Sequence, residues 1–140
     1  MQSTCIEIFT DCKGYALGSV EGRVAIQYFE DNSNPKRSFA FKCHRQGNKV
    51  FAVNAISFNS LGTFSTSGGD GAYVFWDKDT KKKIRSYERS NISITSTDFN
   101  GDNSIFAYAS SYDWSKGVNK RDPTTKISLH IVRTDDIKKN

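Results

Sequence analysis

One feature of this 140-residue sequence constrains its fold more than any other: it repeats itself. A strand, a turn, a strand, an acidic-glycine turn and a strand run from Cys5 to Phe29, and the same order returns from Phe51 to Asp77. Phe9 lies 49 residues before Phe58, and Glu21-Gly22 lies 49 residues before Asp70-Gly71. A third set aligns Phe99 with Phe58 at a shorter step and inserts Tyr112 to Thr125 before its last strand. Four short strands per unit, at a period of roughly forty to fifty residues, mark a β-propeller.

The local chemistry agrees with that reading. Runs such as "YALGSV", "RVAIQYF", "AYVFWD" and "SIFAYAS" are rich in β-branched and aromatic residues and end on Gly, Asn, Asp or Ser. No stretch keeps a helical apolar period for three turns. Aromatic residues make up 13% of the chain, which suits packed β-structure. Asp70-Gly71 sits between two strand-like runs and reads as a hairpin turn, with Asp70 accepting backbone N–H bonds inside it. Trp76 closes the following strand and is placed to pack between neighbouring blades. Its indole N–H is expected to find the hydroxyl of Thr66 or Ser67.

The expected fold is therefore all-β: a WD-type propeller with blades at about 4–45, 50–89 and 91–134 and a polar tail at 135–140. The first two blades show four strands and the third shows three. A closed ring needs at least about four blades. The expectation is an incomplete propeller, a piece carrying C-terminal blades or a chain whose copies self-associate through open blade edges.

Net charge is +5, carried by clusters at Lys42–Lys49, Lys78–Arg89 and Lys116–Lys126. Such runs are solvated faces in most proteins, and outer strands carry lysine to block edge pairing. Beside aromatic side chains they also suit acidic peptides and nucleic acid. The cysteines, Cys5, Cys12 and Cys43, are odd in number and lack a C-x-x-C spacing, which fits a reducing compartment. No run reads as a secretory leader or approaches a membrane span. Cys43 and His44 are adjacent, but no second ligand pair stands at zinc spacing, so no metal and no cofactor are expected. His44 and His130 fall on separate blades, no nucleophile elbow or phosphate-binding glycine loop appears, and no catalytic residue is proposed.

Longer stretches carry a resemblance. "GYALGSVEGRVAIQYF" (Gly14–Phe29), "FAFKCHR" (Phe39–Arg45), "VNAISF" (Val53–Phe58), "FWDKD" (Phe75–Asp79) and "IFAYASSYDWSKG" (Ile105–Gly117) together resemble the WD-repeat mRNA export factor family. Its sister, the mitotic-checkpoint WD-repeat family, shares the "EGRVA", "FKCHR" and "ASSY" patterns, whereas "FWDKD" and "YDWSKG" look like the export factors. The resemblance covers essentially the whole chain and implies the last three of seven blades.

It also implies a non-enzymatic adaptor for mRNA export, working at the nucleus and nuclear pore and shuttling to the cytoplasm. The implied partners are an acidic nucleoporin segment and single-stranded RNA. The alternative is a spindle-checkpoint adaptor that binds checkpoint kinases at kinetochores. Arg23 matches an arginine with which the family grips a glutamate, a contact that two parallel hydrogen bonds orient, and Lys42 and Arg45 flank it as further peptide-binding cations. Phe41, Trp76, Asp77, Lys78, Lys81 and Lys83 match a rim that resembles the family's groove for nucleic acid and protein ligands. At Lys81 better-known members carry arginine, so charge is kept and bidentate geometry is lost. Trp114 and Lys116, in "YDWSKG", form a candidate partner loop, since Trp is favoured at binding hot spots.

Overall fold

The computed structural model describes residues 1–30, 37–87, 90–120 and 123–139. Pro35, Arg89 and Asn140, which the sequence reading places in a loop, a basic run and the tail, lie outside them.

Three antiparallel sheets stand in a row. The first takes β1 (Ser3–Ile8), β2 (Gly14–Ser19), β3 (Arg23–Tyr28) and β4 (Phe39–Lys42) in sequence order. A small hairpin, β5 (Arg45–Gln46) and β6 (Lys49–Val50), leads into the second, built from β7 (Val53–Phe58), β8 (Phe64–Gly68), β9 (Tyr73–Asp77) and β10 (Lys82–Tyr87). The third sheet, among the described residues, has β11 (Ile94–Phe99), β12 (Ile105–Ser110) and β13 (Lys126–Ile131). Among the described residues the sheets form an open arc of four, four and three strands. The sequence reading missed the β5–β6 hairpin. It also read as polar tail what is partly a helical turn, α1 (Thr134–Ile137).

The inner strands build the arc. Each bulges at the same point of its pairing, between Ser3 and Cys5, between Val53 and Ala55, and between Ile94 and Ser96. A bulge increases local twist and re-aims the side chains around it. Just there, the Thr4 hydroxyl donates to the Val53 carbonyl, and the Asn54 amide donates to the Ile94 carbonyl at 3.0 Å. At the other end of β1 the Thr10 hydroxyl donates to the Asn59 carbonyl at 2.7 Å. Thr4 and Val53, like Thr10 and Asn59, are 49 residues apart, the offset of the sequence repeat.

Two apolar joints lie between the sheets. In the first, Val24 and Ile26 of β3, both fully buried, and Ala16 of β2 meet Ile56, Phe64 and Trp76 of the second sheet. In the second, Tyr73 and Phe75 meet Ile94, Phe106 and Tyr108 of the third sheet. α1 seals this joint from below: Ile137 is buried in it, and its carbonyl accepts a 2.7 Å bond from the Thr63 hydroxyl. Alternation reverses on β13. Ser128 and His130 face the joint, while Ile127, Leu129 and Ile131 lie 69%, 68% and 80% exposed on the far face.

Gly71 shows why the acidic-glycine turn needs its glycine. Its φ is +73°, and a Cβ there would stand 2.3 Å from the Ser90 carbonyl oxygen. Only a residue without Cβ tolerates both constraints.

Candidate functional site

The first joint is pinned at one end by four polar side chains. Asp70, in the β8–β9 turn, accepts the Ala72 N–H at 3.2 Å and meets His44 Nδ1 at 2.8 Å. The other ring nitrogen of His44 lies 2.9 Å from the Thr66 hydroxyl. That hydroxyl also accepts the Trp76 indole N–H at 2.9 Å, one of the two partners expected from the sequence. All of His44, Asp70 and Thr66 are buried. A buried polar network this complete rigidifies what it holds, and what it holds is the base of a groove.

The groove has a volume of about 680 Å³ and runs between the end of β4 and the outer strands β9 and β10. Lys42, Arg45, Trp76 and Lys83 all line it, together with Ser86 and Tyr87. Phe41 supports the Trp76 ring from the neighbouring blade, with centroids 4.6 Å apart. The Trp76 N–H is committed to Thr66, so the indole offers the groove its ring and not its donor. Arg45 is anchored by a 2.7 Å bond from its guanidinium to the Glu21 carbonyl, and Arg23, exposed at the start of β3, pairs with Lys42 across the strands. Lys42 and Arg45 thus line one end of the groove, and Arg23 stands next to Lys42 in the strand register but outside that lining. Below them, burial pushes the Cys43 thiol up to about 12, with the Asp70 carboxylate adding to the effect.

Asp77 and Lys78 stand apart from this groove. Asp77 is 1% exposed and accepts the Asp79 N–H at 3.0 Å within the β9–β10 turn. Lys78 is 5% exposed; its ammonium sits 4.7 Å from the centre of the Phe9 ring and 3.2 Å from Asp79. Lys81 follows in a left-handed conformation, φ +59°, with its ammonium 4.8 Å from the Phe39 ring. The basic run is thus divided: Lys83 faces the groove, Lys81 covers an aromatic ring, and Lys78 is interior. The sequence reading also left out His44 as a network member, and Ser86 and Tyr87 as groove residues.

Trp114 and Lys116 lie elsewhere, over the joint between the second and third sheets. The Tyr112 hydroxyl donates to the Gly117 carbonyl at 2.6 Å and accepts the Lys116 N–H at 3.0 Å, which closes the loop on itself. Trp114 is held outward, 55% exposed with φ +63°. Lys116 borders a second cavity of about 510 Å³ with Gln46, Phe51 and Asp113. Burial works against ionisation of Asp113, yet hydrogen bonds from Ser115, Asn54 and Ser93 hold it below its ordinary value.

Repeated four-stranded blades tied by a His–Asp–Thr–Trp network define the class: a WD-type β-propeller, here an open arc of one. Over the stretch it spans, the chain is similar to proteins named as mRNA export factors. It is 43% identical over 98% of its length to Protein RAE1 of Arabidopsis thaliana, and 51% identical over 98% to mRNA export factor GLE2 of Chaetomium thermophilum. It is also 46% identical to Poly(A)+ RNA export protein of Schizosaccharomyces pombe. The chain spans 40%, 40% and 41% of those relatives. No protein-family model matches.

Among solved structures, the β-propeller domain of Cps50 (Swd1) from Myceliophteria thermophila superposes with a TM-score of 0.63. It is 16% identical, over 91% of this chain and 37% of that one. A chain of the Mitotic Checkpoint Complex gives 0.60 at 16% identity, over 74% of this chain and 29% of that one. At such identity both show the fold alone.

Proposed function

We propose that the chain serves mRNA export as a non-enzymatic adaptor at the nuclear pore, through the groove between its first two blades. The observation that carries this reading is the meeting of Lys42, Arg45, Lys83 and the Trp76 ring in one concavity. Cations beside a fixed aromatic ring suit single-stranded RNA, whose phosphates take the charge while a base stacks. They equally suit an acidic segment such as a nucleoporin contributes, with guanidinium forks on its carboxylates. Arg23 and Lys42 extend the anionic path along the first blade. Asp77 and Lys78 shape the turn that aims Lys81 and Lys83. Trp114 and Lys116 offer a second contact for the same partner or another. The names of the relatives support this pathway and, with it, a nuclear site of action.

The test is a titration with a short fluorescein-labelled oligouridylate and, separately, with a glutamate-rich peptide, each at two salt concentrations. Binding that weakens steeply with salt and quenches tryptophan emission is expected, and Lys83→Glu should reduce it. A folded protein that binds neither probe at low salt would sink the proposal.

A further inference from the structure

Ser86 is the groove residue for which the adaptor reading has no use. It is exposed, it lines the cavity beside Lys83 and Trp76, and it is preceded by Lys82, Lys83 and Arg85 in "KKIRS". Among the described residues β10 is the outermost strand of its sheet, and no strand pairs with its outer edge. Its pairing with β9 is irregular between Lys83 and Arg85, directly before the serine. A serine hydroxyl on an extended, basic, edge-strand segment has the form that an acidic kinase cleft takes.

We propose that Ser86 is a phosphorylation site for a basic-directed serine/threonine kinase, and that its phosphate closes the groove to anionic partners. The Ser86 Oγ attacks the γ-phosphorus of ATP. An Oγ–P bond forms, the bond from that phosphorus to the β,γ-bridging oxygen breaks, ADP leaves, and the hydroxyl proton passes to the kinase's base. The product carries a charge of about −1.5 to −2 on acceptor oxygens. Lys83, Lys42 and Arg45 border the same cavity and become its counter-ions. Their pairing with the phosphate competes with phosphates of RNA and carboxylates of a peptide for the same donors. This switch rests on the groove reading above; the modification itself does not.

The experiment treats the purified protein with ATP and a basic-directed kinase, maps the phosphate by mass spectrometry, and repeats the oligouridylate and glutamate-peptide titrations. Phosphate on Ser86, absent in Ser86→Ala, with affinity reduced by roughly tenfold or more for both probes, is the expected result. The Ser86→Glu variant should bind more weakly than Ser86→Gln, which has the same size without the charge. Failure of the kinase to modify Ser86 overturns the site. Unchanged affinity after stoichiometric modification overturns the switch. If the unmodified protein binds neither probe, the groove reading falls and the switch falls with it, whereas phosphate on Ser86 would still establish the site.

Discussion

His44 and Asp70 meet at 2.8 Å inside the first joint, across a contact that ties the entry to the second blade to that blade's own acidic-glycine turn. Both side chains are closed to solvent. His44→Ala leaves the Asp70 carboxylate and the Thr66 hydroxyl without their imidazole partner in the interior. The expected loss is about 3 kcal/mol of unfolding free energy. Urea denaturation followed by tryptophan emission measures it, and a loss well under 1 kcal/mol would show that the network contributes little.

Trp76 separates two effects in one residue. Trp76→Phe removes the bond to Thr66 but keeps an aromatic ring against Phe41, so it should cost about 1 kcal/mol. RNA binding should weaken less in Trp76→Phe than in Trp76→Ala, because a phenyl ring still stacks. Equal binding by all three proteins would remove Trp76 from the interface.

Lys78 and Lys83 belong to one basic run, and they should behave oppositely. Lys78→Met keeps the packing over Phe9 and should leave the salt dependence of oligouridylate binding unchanged. Lys83→Met should lower the slope of log affinity against log salt by about 1. A slope that responds to Lys78 would place its ammonium on the ligand.

The Asp136 carboxylate ties α1 to its surroundings. Burial disfavours its charge, but the Arg133 N–H and the side chains of Tyr87 and His130 outweigh that and hold it below its ordinary value of 3.8. Its folded value is the lower one, so its contribution to stability is present above about pH 4 and is lost as pH falls below that. Asp136→Asn should therefore lower stability at neutral pH and flatten the acid limb of the stability curve. Chemical denaturation at a series of pH values decides, and an unchanged acid limb would count against the assignment.

Thiol labelling should sort the cysteines. Cys12 is exposed, whereas Cys43 is buried and its thiol is pushed up to about 12. A neutral-pH maleimide should modify Cys12 first and reach Cys43 only on unfolding. Mass spectrometry of native and urea-treated protein reads the difference.

The repeat made the fold legible because inner-strand bonds recur at the same offset as the sequence, as Thr4 to Val53 and Thr10 to Asn59 show. Trp76 and its partner were legible for a related reason: they sit on adjacent strands of one hairpin, 10 residues apart. His44 was not, because its partners lie 22 and 26 residues away and belong to the next blade. Read along the chain, it is one more polar residue in a basic patch. Lys78 misled in the same way, since a lysine in a basic run gives no sign that Phe9 and Tyr28 of the first blade lie against it. α1 is a single turn and too short for any period to register.

The buried position of Ile137 sets an order in time. Side chains of the first joint lie between Cys5 and Trp76, while the second joint needs residues from Tyr73 through to Ile137. On a ribosome, the first joint can close while the third blade is still being made. The second stays unsealed until the helical turn emerges. A nascent chain of this protein therefore carries an uncovered aromatic surface on its second blade for the whole time it takes to synthesise the third, and that interval is when a chaperone has something to hold.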